Sequence, residues 1–599
     1  MPRYHLRRRR LTIIVVACIL ILSGLWLAWK RFDSDPIRQG RAAFARGDWE
    51  VAAERARERL KQTADDTPAL QLLARSLVRL GRDSSAVSLY NRLTPDALAP
   101  DDFWLLGLAL TRSGDPRGIK VWEQALHAKP SHPEMLFELT RIYSRNDKLA
   151  EAAETGRLLG KCPGWEARAS ALLGTIEQAR DNPNAALNHW REALNHPIAK
   201  PTAESTPIVP VKELARTLLQ VRQPDEARLR LEQILSATPD PESSWLLSRA
   251  YLQMGLKQEA LAALEKSGSF RDEHPFVPEP SSFAGSKSCA QCHSAIFHPQ
   301  QSSRHAHTFF RAAEFADISL PPSDLPDPGN ANVTHTLKWT KNQQLQQETD
   351  VKGQAYSAIV EYAIGSGDRG LTLVGRTNKD AAVELRLSRY RSGTSFKWDV
   401  TSGHIRHPDE PALYLGEPLD EDAVRRCLNC HVTSAQAIFR ASGPGSSDQG
   451  IGCEKCHGPG ENHIQAIKSD FPDRAIVDPR MASGLPVVAI CAKCHSPRHG
   501  NVAPEDPSAA RFPGTTLTWS RCFLESQNKL DCVTCHDPHR NVATAASHYE
   551  GKCLSCHSAP TTVCPVSSTK GCVGCHMPLV KNVVPHSSFT DHFIRVHRD

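Results

Sequence analysis

Seven times after residue 285 the chain reads Cys-x-x-Cys-His, and no other feature limits what it can become as strongly. The copies are Cys289-Cys292-His293, Cys427-Cys430-His431, Cys453-Cys456-His457, Cys491-Cys494-His495, Cys532-Cys535-His536, Cys553-Cys556-His557 and Cys572-Cys575-His576. The chain's own composition would give only about 0.02 such matches by chance. Two thiols three positions apart reach the two vinyl groups of one porphyrin as thioethers, and the adjacent His is placed to ligate iron from the proximal side. Zinc uses the same residue types, but a zinc ribbon does not need His after every second Cys. A thioredoxin-like pair would come once or twice, within a βαβ pattern that is missing. The motifs therefore predict seven covalently bound haem c groups, their iron held by His293, His431, His457, His495, His536, His557 and His576.

The remaining residues bear on the second axial ligand. Twenty of the 26 His follow residue 285, whereas Met in that region is limited to Met481 and Met577. Met577 directly follows His576 and cannot easily reach the far face of its own haem, so bis-histidine ligation is expected, with low potentials. Local context selects His305 (Ser-Arg-His-Ala), His463 (after Cys456-His457-Gly-Pro-Gly), His539 (Cys-His-Asp-Pro-His), His404, His548, His586 and His592 as distal ligands. His307, His407, His499 and His597 stand in reserve. Cys522 and Cys564 lie outside the motifs; a disulfide between them and two unpaired thiols both remain open.

Ser303-x-His305-Ala306, Cys456-His-Gly-Pro-Gly-x-x-His463, Cys535-His-Asp-Pro-His539, Cys575-His-Met-Pro578 and Phe589-Thr-Asp-His592 together resemble the multihaem cytochromes related to hydroxylamine oxidoreductase and its tetrahaem electron acceptor. The resemblance covers about residues 286–599. It implies haems stacked in close pairs as an electron wire, wrapped by helix and loop. The chain departs from the catalytic members: Cys-x-x-Cys-Lys does not occur, and the motif count is seven rather than eight. Both departures argue against catalysis.

A gap of 133 residues separates the first two motifs. Within it Thr334–Trp339, Tyr356–Tyr362, Gly370–Val374 and Val383–Leu387 alternate or run β-branched between Gly-rich turns, predicting a small antiparallel β insert at about 333–400. It is read as bracing. Were it instead a pocket wall, Arg389, Tyr390, Arg391 and His404 would be its reactive groups.

The half before residue 266 is a repeat. Small or compact residues recur in pairs twelve apart: Gly40/Ala52, Ala74/Ala86, Gly107/Ile119, Thr140/Ala152, Gly174/Ala186, Ala215/Ala227 and Ser248/Ala260. The pairs advance by 33 or 34 residues, with one step of 41 across the Pro-rich stretch 196–210. That period resembles the tetratricopeptide repeat, two antiparallel helices per unit that approach closely where side chains are small. About seven repeats over 36–265 predict an α-solenoid for protein docking. Residues 266–285, rich in Gly, Ser and Pro, read as a linker to the haem domain at 286–599.

Residues 11–29 are uncharged, close to the ~20 apolar residues that span a bilayer. Arg3 and Arg7–Arg10 precede them against Lys30 and Arg31 after, placing a basic cytoplasmic segment 1–10 inside and the rest of the chain in the periplasm. A cleaved signal peptide is the rival, but no A-x-A-like site closes the run. Cys18 reads as a membrane residue, and thiols exported with the rest would oxidise if left free. The formal charge of +6 is outweighed by two propionates on each of seven haems and does not indicate nucleic acid.

The expected fold is therefore mainly α: a transmembrane helix, a tetratricopeptide solenoid and a haem-packed cytochrome domain with a β insert. The expected function is electron transfer between a redox partner or quinol-side donor and an acceptor. An oxidoreductase acting on a small nitrogen or sulfur compound at one open haem is the alternative, and an assembly factor with sensing haems is a third reading. If solenoid and haem domain are independent, removing residues 36–265 leaves the haem spectrum unchanged.

Overall fold

The computed structural model describes residues 35–597 except 129, 197–207, 313, 315–319, 322, 436–449, 498–501, 528, 559–563 and 582. The basic segment 1–10 and the span 11–29 lie outside the described residues, as does most of the Pro-rich stretch 196–210. Among the described residues no helix is long and apolar enough to cross a membrane.

Residues 36–266 form consecutive helix pairs: α1 (Pro36–Arg46) with α2 (Trp49–Gln62), α3 (Thr67–Arg79) with α4 (Asp83–Tyr90), α5 (Pro100–Arg112) with α6 (Arg117–Ala128), α7 (Pro133–Arg145) with α8 (Leu149–Leu159), α9 (Glu166–Ala179) with α10 (Pro183–Asn195), α11 (Ile208–Gln220) with α12 (Pro224–Leu235), and α13 (Pro241–Gln253) with α14 (Lys257–Lys266). The sequence writes the starts plainly. Asp35, Asp66, Asn182 and Asp240 each accept an N–H from the first turn that follows, with proline in one of its first two positions, where its missing donor would be unpaired anyway. Gly47 and Gly114, each followed by Asp in the turn between two paired helices, take φ of +87° and +73°, a conformation that glycine adopts without strain.

The twelve-residue spacing is explained by contact. Ala52, Ala74, Ala86, Thr140, Ala152, Ala186, Ala215, Ala227, Ser248 and Ala260 are fully buried. A Cβ on Gly107 would lie 2.0 Å from the Trp122 indole, and one on Gly174 would lie 2.7 Å from that of Trp190. The third pair departs from the pattern. Ile119 is only half-buried, and the close approach belongs to Gly118, whose Cβ would meet the Gly107 carbonyl at 2.8 Å. Isoleucine cannot fit where a backbone carbonyl leaves so little clearance, so the small residue sits one position earlier.

The chain divides into two compact units, one running to Arg145 and including Glu151–Ala169, the other comprising Asn146–Ala150 and everything from Ser170. The division falls inside the repeats and not at 266–285. In the second unit Leu252 and Ala260, of α13 and α14, share one apolar cluster with Ala466, Phe471 and Ala475. Segment 266–285 is not a free linker: Ser267, Glu279 and Ser281 are buried within it. Proline and glycine bar regular helix there without barring burial.

The β region is larger than the small insert expected at 333–400. Among the described residues nine antiparallel strands form one sheet: β1 (Phe309–Arg311), β2 (Leu325–Asp327), β3 (Asn330–Trp339), β4 (Leu345–Val351), β5 (Gln354–Ile364), β6 (Gly370–Thr377), β7 (Ala382–Ser392), β8 (Ser395–Val400) and β9 (Gly416–Leu419). The order runs β2 to β8 as a meander, with β1 on β5 and β9 on β7. The four predicted segments fall on β3, β5, β6 and β7. Three- and four-residue edge strands such as β1 and β9 are too short to show alternation.

A buried ion network joins β2, β3 and β7. Arg386 forks onto Asp327 at 2.6 and 3.1 Å, and His335 adds a contact at 3.1 Å. Burial opposes ionisation of Asp327, but the hydrogen bonds from His335 and Arg386 outweigh it and hold the carboxyl well below its usual range. A depressed acid stabilises the fold fully above its unfolded pKa, about 3.9, and loses that contribution as pH falls through the folded value. The expected result is an acid-unfolding limb below about pH 4 that Asp327→Asn largely removes, at a cost near neutrality of about 3–5 kcal/mol. Circular dichroism of both proteins across pH 2–7 checks it; superimposable acid limbs would contradict the assignment.

Candidate haem centres

Each motif lies on a helical turn, which puts cysteines three apart on one side. The carriers are α15 (Ser286–Gln301), α16 (Glu421–His431), α17 (Cys453–His457), α19 (Leu485–His495), α20 (Cys532–Cys535), α21 (Ala546–Leu554) and α22 (Cys572–His576); α18 (Glu461–Lys468) carries His463. Helix α15 breaks at the last residue of its motif, where His293 leaves helical geometry with φ −115° and ψ 37°. Asp420 caps α16 and Asp531 caps α20, the latter in a box with Thr534.

Four motif histidines each face a histidine from outside the motifs. Ring centroids are 6.4 Å apart for His293 and His463, 6.3 Å for His495 and His305, 6.3 Å for His457 and His539, and 6.2 Å for His536 and His592. Two imidazoles on opposite sides of one metal, each bonded at about 2.0–2.1 Å with its ring centre about 1.1 Å behind the ligating nitrogen, have centroids about 6.3 Å apart. All four pairs match that separation while their interplanar angles range from 13° to 66°. Ring stacking would restrict the angle; axial ligation restricts the distance.

Several of the motif and facing histidines hydrogen-bond through the other ring nitrogen, as ligands require, whereas Nδ1 of His536 is buried without a partner. Nδ1 of His457 donates to the Val477 carbonyl at 3.0 Å, that of His463 to Arg474 at 2.7 Å and that of His592 to Thr590 at 2.9 Å. His431 and His576 point Nδ1 at the carbonyls of Thr308 and Arg595, both at 3.1 Å, and His539 engages Asp537 at 3.1 Å. Such bonds fix the tautomer that leaves Nε2 for iron and raise its basicity. Burial lowers the pKa of His457, His495, His536 and His592, favouring the neutral ring a metal needs. Among the described residues no three His, Cys, Asp or Glu side chains converge on one point as a zinc site would demand. The residues present fit haem iron with two axial imidazoles.

The centres adjoin one another. Cys491 and Cys532, from different motifs, have adjacent side chains, and α16 lies against α19 with Cys430 Sγ 3.9 Å from the Lys493 carbonyl. One short stretch reaches three of the opposed pairs: His536 faces His592, Pro538 presents its carbonyl to His305 Nδ1 at 3.5 Å, and His539 faces His457.

Of seven distal candidates, His305, His463, His539 and His592 are brought opposite a motif histidine. His404 and His586 are not brought opposite a motif histidine. His404 Nε2 is held by Glu384 at 3.1 Å with its side chain buried on the sheet, and His586 Nε2 is held by Asp399 at 2.9 Å. A sequence window cannot distinguish a carboxylate-bound histidine from a ligand. His548 is exposed, its ring edge-on to Tyr549. In the reserve, His307 and His407 are exposed, His597 lies 3.8 Å from Asp591, and His499 is outside the described residues. His557 sits on an exposed turn just after α21. Cys522 and Cys564 are not bonded to each other in this structure.

Sequence reasoning missed Glu454, inside the third motif. Only 3 % exposed, it accepts the N–H groups of Ala284 and Gly460 at 2.7 Å and of Gly285 at 2.9 Å, tying α17 to the start of α15. The Glu-Lys pair between those cysteines carries no signal of which side chain turns inward.

Residues 37–103 and 212–271 match the tetratricopeptide repeat family, and residues 410–458 match the family of cytochrome c554 and c-prime. No curated protein matches the chain. Among solved structures, MamA is 20% identical with a TM-score of 0.25, covering 28% of this chain and 96% of its own. A tetratricopeptide repeat protein from Parabacteroides merdae is 15% identical with a TM-score of 0.28, covering 39% and 91%. The C-terminal part of a repeat-containing protein from Cytophaga hutchinsonii is 14% identical with a TM-score of 0.33, covering 39% and 93%. The chain thus joins tetratricopeptide repeats to a cytochrome c554-like segment that includes its second and third Cys-x-x-Cys-His motifs.

Proposed function

We propose that this protein is a seven-haem c-type cytochrome, related to the hydroxylamine oxidoreductase group, that passes electrons between redox partners in the periplasm. The observation that carries the reading is the opposition of four motif histidines to four others at 6.2–6.4 Å. Haem, when bound, supplies one-electron chemistry at low potential. The chain's part is to hold the iron from both sides and to bring neighbouring centres close, as the stretch 536–539 does. Thioethers at Cys289, Cys292, Cys427, Cys430, Cys453, Cys456, Cys491, Cys494, Cys532, Cys535, Cys553, Cys556, Cys572 and Cys575 would fix the porphyrins.

The uncharged run 11–29 behind five arginines supports an inner-membrane anchor with an extracytoplasmic bulk. The repeats support docking of a protein partner. Haem should be counted by pyridine haemochrome on protein made in a host that matures c-type cytochromes, with electron paramagnetic resonance of the oxidised form. About seven haems per chain, all low-spin, are expected. A high-spin fraction that shifts with cyanide or nitrite would favour the oxidoreductase alternative, and absence of covalent haem would end the proposal.

A further inference from the structure

The strongest unexplained feature is a buried cation at the end of the repeats. Arg249 of α13 is fully buried and forks onto Glu279 at 2.8 and 3.1 Å and onto Asp473 at 2.5 Å. As a stabiliser such a triad is poor, because desolvation offsets the attraction; its best-attested use is to fix register. What it fixes here is the loop 473–477. Arg271, just beyond α14, binds the same loop by donating to the Ile476 carbonyl at 2.9 Å, and it reaches the Val277 carbonyl at 2.7 Å. Both guanidinium groups lie over the Trp245 ring, at 5.1 and 5.9 Å from its centre. Between the two anchors Ala475 is fully buried against Leu252 and Ala260 and is held at φ +49°. A non-glycine residue keeps that conformation only when its surroundings impose it.

The loop so constrained supplies two carbonyls, Arg474 to His463 Nδ1 at 2.7 Å and Val477 to His457 Nδ1 at 3.0 Å. These histidines belong to two different opposed pairs, His293/His463 and His457/His539. We propose that Arg249 and Arg271 are positioning residues for the axial ligands of these two haems, so that the last tetratricopeptide repeat sets ligand orientation and basicity in the cytochrome region. The proposal rests on the haem reading above. A partner hydrogen bond to a ligating imidazole raises its basicity and fixes its plane, and losing one typically costs 10–100-fold in metal affinity. A tenfold loss of preference for the ferric over the ferrous state corresponds to about 59 mV for one electron.

The test uses full-length holoprotein and the variants Arg249→Met, Arg249→Lys and Arg271→Met, with haem count, electron paramagnetic resonance and a potentiometric titration on each. Arg271→Met is the gentler change, since it leaves Arg249, Glu279 and Asp473 together. The expected result is an unchanged haem count with about two of the seven haems altered in signal and raised in potential by the equivalent of roughly tenfold, and partial restoration in Arg249→Lys. Arg271→Met with all signals and potentials unmoved, or with all haems shifted alike, would overturn the proposal in favour of a purely structural clamp. If the unmodified protein shows no bis-histidine haem, the underlying haem reading fails first, and that is visible before any variant is made.

Discussion

Deleting residues 36–265 is expected to abolish the holoprotein, and not to leave a haem domain with an intact spectrum. The deletion removes α13 and α14 and with them Leu252 and Ala260 from the cluster that buries Phe471 and Ala475. It also removes Arg249 while Glu279 and Asp473 stay behind. Gln253 would no longer bond Asn462, a contact of 2.9 Å that ties α13 to α18 beside His463. Yield of covalent haem per chain, compared with the full-length protein, decides the matter. Near-zero recovery is the expected outcome; a soluble fragment carrying the full haem complement would show that the repeats and the cytochrome region fold apart, as composition alone suggests.

That contrast marks where the sequence is legible. The seven motifs are readable because thioether attachment needs an invariant local spacing, and the repeats are readable because close helix approach recurs every 33 or 34 residues. Helix starts at Asp35, Asp66 and Asp240 follow from local capping chemistry. Contacts distant in sequence are not readable. Arg249 and Asp473 are 224 residues apart, and nothing near either one names the other. The distal histidines show the same limit. His463 and His539, close after motifs, lie opposite His293 and His457, whereas His404 and His586, with contexts of equal quality, are held by Glu384 and Asp399. The sheet was recognised from its long central strands and underestimated at its edges, where β1 and β9 pair through backbone bonds that side-chain patterning does not encode.

His539→Ala is expected to convert about one haem in seven from low-spin to high-spin while the haem count stays unchanged. The distal ring faces His457 at 6.3 Å and is supplied by a segment whose other members, His536 and Pro538, engage two further centres. Truncation at Cβ removes the imidazole but leaves the Pro538 carbonyl and the His536 ring in place, so the change is confined to one site. Free imidazole added in excess has the size and the nitrogen of the missing group and should return the signal to low-spin, which separates loss of a ligand from general disruption. His404→Ala and His586→Ala serve as the comparison. Both side chains are engaged by carboxylates on the sheet, and both variants should remain fully low-spin. Electron paramagnetic resonance on the four oxidised proteins reads all of this together. An unchanged spectrum in His539→Ala, or a high-spin signal in His404→Ala, would mean that the ring pairs are packing contacts and that axial ligation is assigned by some other arrangement of the same residues.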